Sequence, residues 1–177
     1  MKNEDLEDSV HRLDFYIRRN TRYHMRRSSF FSFLSRTTAF VGVVFGSAAA
    51  ATLLTQQDPR IVAGMALIVV LMNALNLVIG TEALIWLHND LRRRYVEIDA
   101  ELAACESPDT AFIKGLWARI KRIEADEPPV MHALELVAYD DAVRAVYSRE
   151  EAKAHLSSLN AFQRMTAQIW PWDTLKA

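Results

Sequence analysis

The chain has 177 residues, a formal net charge of −1 and one cysteine, Cys105, which excludes an internal disulfide and cannot by itself build a metal site. The near-neutral total conceals a division: residues 1–95 hold 12 Lys/Arg against 8 Asp/Glu, and residues 96–177 hold 9 against 14. Five Gly, five Pro and little β-branched alternation outside two apolar runs point to an all-α chain.

Residues 1–36 read as a basic amphipathic helix. Leu6, Val10, Leu13 and Ile17 recur at helical spacing and form one stripe. Glu4, Asp5, Glu7 and Asp8 lie in the first turns, where the helix dipole favours negative charge. The character then changes to arginines and aromatics: Arg18, Arg19, Arg22, Arg26, Arg27 and Arg36, with Tyr16, Tyr23, His24, Phe30, Phe31 and Phe33 between them. Such interleaving suits a membrane-interface collar, a phosphate-contacting surface on nucleic acid, or a plain solvated face. Adjacency to an apolar run favours the membrane collar, with the lipid bilayer as partner and no nucleic acid expected. The first 36 residues are charged, so a cleavable signal peptide is not expected.

Residues 37–81 carry the strongest signal. Two uncharged runs, 37–55 and 61–81, flank the polar break Gln56–Gln57–Asp58–Pro59–Arg60. About 20 apolar residues is the length that spans a bilayer core. The expectation is a two-span transmembrane hairpin, and the alternative is a buried hairpin in a soluble bundle. Arg26, Arg27 and Arg36 precede the first run, and Arg92, Arg93 and Arg94 follow the second. The positive-inside rule then puts both termini in the cytoplasm. Within the runs, Gly42-x-x-x-Gly46 and Gly80 suggest close helix packing, with Ala39, Ala49 and Ala50 near the side of Gly42. Asn73 and Asn76 share a helical face with Gly80, and an amide in hydrocarbon needs a partner. These two, with Glu82 at the cytoplasmic mouth, are the candidates for a pore lining or a subunit seam. Interhelical hydrogen bonding is the plainer role for the amides, and a solvated boundary residue is the plainer role for Glu82.

Residues 82–106 continue the pattern without Pro or Gly. Helix is therefore expected unbroken from 61 to 104, about 66 Å at 1.5 Å per residue, with the basic amino-terminal helix paired antiparallel against it. His88 has no second ligand at metal spacing and reads as a polar surface group. Cys105 reads as a partly buried thiol with no base beside it.

Residues 107–177 read as a cytoplasmic helical region. Ser107–Pro108–Asp109–Thr110 starts a helix whose apolar face is Phe112, Leu116, Ile120 and Ile123. Pro128–Pro129 ends it and suits the first turn of the next, which carries Val130, Leu134, Val137, Ala138, Asp141 and Ala145. Ser148-x-x-Glu151 is a capping box for a last helix with Leu156, Leu159, Phe162, Met165 and Ile169 on one face. Trp170–Pro171–Trp172 ends the order. The acidic turn Glu124–Ala125–Asp126–Glu127 reads as solvated rather than catalytic. No phosphate loop, triad spacing or zinc pattern stands out, so no enzyme, catalytic residue, metal or cofactor is expected.

The order of parts resembles a known family. The segment YIRRNTRYHMRRSSFF at 16–31 leads into two closely spaced spans, a long helix leaves the second, and RIEADEPP follows at 122–129. This arrangement resembles the SLATT class of bacterial two-transmembrane proteins over roughly residues 10–145. The resemblance implies a membrane effector of a bacterial conflict or defence system that acts by forming pores. It supplies no catalytic residues. Two spans cannot enclose a water path, so a homo-oligomer in the bacterial inner membrane is the expectation. The alternative is a membrane-anchored scaffold whose cytoplasmic helices recruit a partner protein.

Overall fold

A computed structural model describes residues 3–46 and 59–172. Among them every regular element is helical and no strand occurs. The helices are α1 (Asn3–Gly46), α2 (Pro59–Ile79), α3 (Thr81–Ala104), α4 (Thr110–Glu124), α5 (His132–Val146), α6 (Arg149–Lys153) and α7 (Ala161–Thr166). The end of the first apolar run, including Ala49 and Ala50, and Gln56–Gln57–Asp58 lie outside the described residues. Gly46 closes α1, and its packing is likewise outside them.

The chain divides into two compact units, Ser28–Leu87 and Met1–Arg27 with His88–Ala177. Helices α1 and α3 contribute residues to both. The second unit has an ordinary core. Leu13 and Ile17 of the predicted stripe are fully buried, as are Leu91, Tyr95 and Ile98 on α3 and Ile120 on α4. Burying one such aliphatic side chain contributes about 1.5–3 kcal/mol. Tyr23, Ala133, Leu134, Val137, Ala138 and Ala167 form a further apolar cluster, with Met131, Leu159 and Trp172 packed against it.

Local signals explain several helix ends. Asp109 caps α4, its carboxylate accepting the Phe112 N–H at 2.7 Å. Ile113 replaces Phe112 on the fully buried face of that helix. The Pro pair falls in the connection rather than in a first turn, because α5 begins at His132 with Met131 as its cap residue. Met131 lacks a capping side chain, and the Tyr23 hydroxyl accepts its N–H instead at 3.1 Å. Of the apolar positions predicted there, Leu134, Val137 and Ala138 are buried, whereas Val130 and Ala145 are exposed.

Two expectations fail for stated reasons. The helix from 61 to 104 is broken at Gly80, which has φ +67°. Only glycine enters that region without strain. Helices α2 and α3 therefore meet at a 41° bend. Gly80 marks the bend, and a Cβ built there would meet nothing within 4 Å among the described residues. The long last helix is also absent. The Ser148–Glu151 box forms, but α6 ends at Lys153, and a new reciprocal cap between Asn160 and Gln163 opens α7. The cause is Asp140, which is fully buried on α5. Its carboxylate accepts the Ser157 N–H at 2.7 Å and the Ser157 hydroxyl at 2.9 Å, and it pairs with Arg164. That grip holds residue 157 outside a helical ladder. Phe162, Met165 and Ile169 consequently stay exposed rather than forming a buried face.

Among the described residues, the unit Ser28–Leu87 has no comparable apolar core. Leu67, Ile68, Val70, Leu71, Leu75, Leu77 and Val78 on α2 are all exposed. Among the described residues, α1 is long and apolar enough to cross a membrane, and so is the bent pair formed by α2 and α3 if it is one span.

Candidate functional site

Beyond Arg60 at its start, α2 carries two hydrogen-bonding side chains, Asn73 and Asn76. The Asn73 amide donates to the Val69 carbonyl at 2.8 Å, one turn back along its own helix. A Cβ built on Gly42 would lie 4.0 Å from Asn73 Nδ2, an ordinary van der Waals contact, so Gly42 on α1 and Asn73 on α2 are neighbours. Asn76 has a different task. Its Oδ1 accepts from the Thr81 hydroxyl across the Gly80 bend, and its carbonyl accepts the Gly80 N–H at 3.1 Å. Glu82 accepts from the Ser35 hydroxyl on α1 at 2.6 Å, and it pairs with no arginine among the described residues. The structure thus joins Gly42 to Asn73, Asn76 to Thr81 and Ser35 to Glu82.

The other unit holds an arrangement that sequence reasoning missed. His88 is fully buried, not a surface group, and faces His24 with an Nδ1–Nδ1 separation of 3.0 Å. His24 is also fully buried, and its Nε2 lies 3.2 Å from Glu127 Oε1. Tyr95 donates to that same oxygen at 2.7 Å. The acidic turn is therefore not simply solvated: Glu127 is enclosed, Glu124 accepts from Tyr16, and only Asp126 remains outside, paired with Arg94 at 2.6 Å.

Two facing imidazole nitrogens can bond only if one carries a proton and the other does not. Glu127 as a carboxylate accepts a hydrogen bond from the His24 Nε2–H. A neutral His24 then has a bare Nδ1, which accepts from His88. Burial, the neighbouring His24 and the Arg27 charge push His88 down to about 4, against the opposing pull of Glu127. Burial alone would raise the Glu127 carboxyl, but the hydrogen bonds from His24 and Tyr95 outweigh it and hold it below the usual range. Burial, then the Glu127 charge, pushes the Tyr95 hydroxyl far up, so it stays a donor. Among the described residues, no group of three His, Cys, Asp or Glu is disposed to hold a metal ion.

This geometry has an acid signature. Below about pH 6.5 the unfolded chain gains a proton at position 88 that the folded unit resists until about pH 4. Stability is therefore present above pH 6.5 and is lost as pH falls through that window. Depression of Glu127 acts with the same sign at lower pH. The thermal midpoint of the detergent-solubilised chain is expected to fall between pH 7 and 5, and to fall less in His88→Gln. An equal fall in both proteins would remove His88 as the cause.

The predicted arginine–aromatic collar divides. Arg18 pairs with Asp14 at 2.8 Å and Arg19 with Glu135 at 3.2 Å. Arg26 binds Asp141 at 2.6 Å, and Arg27 donates to the Gln168 carbonyl at 2.9 Å. Arg93 and Arg94 bridge acidic neighbours on α3. Arg22, Arg36 and Arg92 make no ion pair among the described residues. Phe30 and Phe31 meet edge to face, with Phe31 buried. Several of these arginines therefore hold the helices of their own unit together.

No protein-family model, curated protein or solved structure matches this chain. The missed cluster left one trace in the sequence: His24, His88, Tyr95 and Glu127 each sit at helical spacing from apolar core positions. Nothing local says that four polar groups so placed will meet.

Proposed function

We propose that the protein is an oligomeric inner-membrane protein whose Ser28–Leu87 unit crosses the bilayer as a two-span hairpin and, in several copies, forms or gates a pore. The observation that carries this reading is α2: an uncharged run of full spanning length after Arg60, with apolar side chains exposed around it. An exposed apolar surface of that extent in a single chain calls for lipid or other subunits. The Asn73 and Asn76 face is then the polar seam or lining, and Gly42 lies beside Asn73. Arg36 and Arg92, without ion pairs among the described residues, are suited to anionic headgroups on the cytoplasmic side. Both termini are cytoplasmic in this reading, and the helical unit built around the histidine pair is the controlling element. A role in bacterial defence rests on the resemblance to the SLATT class.

A second reading is a membrane-anchored scaffold with a cytoplasmic protein partner. The exposed Phe162, Met165, Ile169 and Trp170 favour it. Ion or dye flux from liposomes holding the full chain separates the two. A pore gives flux that rises more steeply than linearly with the protein-to-lipid ratio. Intact vesicles at every ratio, with insertion verified by protease protection, support the scaffold.

A further inference from the structure

A cavity of about 420 Å³ opens in the unit formed by Met1–Arg27 and His88–Ala177, away from the histidine pair. Its size falls within the range of small-molecule sites. Five aromatic rings line it: Phe15 and Tyr16 from α1, Trp117 from α4, Tyr139 from α5, and Tyr147 just beyond α5. All five are half-buried. They are set by one another: Phe15 meets Tyr139 edge to face at 5.4 Å, and Tyr16 meets Trp117 at 5.1 Å.

The charged groups at the cavity are of one sign. Arg12 and Arg19 line it, with His11 and His155 offering imidazole nitrogens, and no carboxylate is among the lining residues. A neighbouring cavity, which shares Tyr16 and Arg19 with it, adds Glu124, Glu127 and Glu135. Arg19 is pre-positioned, its guanidinium 4.7 Å from the Tyr16 ring centre. Its Nε has no hydrogen-bond partner although Glu135 engages Nη2. His155 stacks on Tyr147 at 5.1 Å.

We propose that this cavity binds a small molecule made of a planar aromatic ring and an anionic group. The rings supply stacking and edge contacts, and Arg12 with His155 receives the anion at the exposed rim. Arg12 is suited to this because its present partners, Asp8 and the Ser9 hydroxyl, are solvent-exposed. Such pairs are weak and exchange readily.

The test is calorimetric titration of the full chain in zwitterionic lipid nanodiscs, with empty nanodiscs as the reference. The probes are indole-3-acetate and naphthalene-2-carboxylate, each against its neutral amide, with acetate as the anion lacking a ring. Both acids are expected to bind saturably, about tenfold more tightly than their amides, and acetate not at all. In Arg12→Gln/His155→Gln the acids should weaken to the level of the amides, while the amides and the thermal midpoint stay unchanged. In Tyr139→Ala acid and amide should weaken together. The absence of saturable binding of both acids to the unaltered chain overturns the proposal. So does equal binding of acid and amide, or acid binding that neither variant changes. The readout is binding alone, so failure here leaves the pore reading untouched.

Discussion

Glu127→Ala is expected to destabilise the unit formed by Met1–Arg27 and His88–Ala177 by about 3 kcal/mol or more. The two hydrogen bonds that enclose this carboxylate converge on one oxygen, Oε1, from His24 Nε2 and from the Tyr95 hydroxyl. Truncation leaves both groups buried without an acceptor, and each orphaned polar group costs about 1–3 kcal/mol. The loss propagates, because a His24 that no longer donates through Nε2 has no fixed tautomer to offer His88. Glu127→Gln separates acceptor from charge. Its amide oxygen can take the place of Oε1 and accept from both neighbours, so it is expected to lose only about 1 kcal/mol. Denaturant unfolding of the solubilised full chain reads both values. An alanine variant as stable as the unaltered chain would show that the cluster does not hold this unit together.

In the proposed pore, Asn73→Leu/Asn76→Leu is expected to bring flux down to the leak of protein-free vesicles at unchanged insertion. Two effects act together. An amide pair on an otherwise apolar helix is the only wetting surface that α2 offers past Arg60, and leucine removes it. Asn76 also receives the Thr81 hydroxyl across the bend at Gly80, so its loss loosens the geometry that sets α2 against α3. The single variants divide these effects. Asn73→Leu should reduce conductance with the bend intact, whereas Asn76→Leu should in addition alter protease accessibility near residue 80. Full conductance in the double variant would sink the assignment of both residues.

Much of the architecture was legible because it depends on neighbours in the chain. The Asp109 cap, the Ser148–Glu151 box and the Leu13–Ile17 stripe are short-range patterns, and all three are present. The arginines were legible as a cluster but not by destination. Arg19, Arg26 and Arg27 meet partners more than 100 residues away in the chain, and no periodicity reports such a partner.

The sequence by itself determined that the chain is helical and that two stretches are too apolar, too long and too free of charge to be ordinary surface helices. Hydropathy and helical spacing are local sums, and they survive whatever packs around them. Only the tertiary structure decided that His88 and Glu127 are interior groups, that Asp140 ends the run after Ser148, and that Gly80 bends a helix expected to be straight. The physical reason for these interior groups is that a buried polar side chain needs a polar partner, and they find theirs far along the chain. His24 finds its partners 64 and 103 residues away, so their meeting is a property of the packed helices and not of any segment.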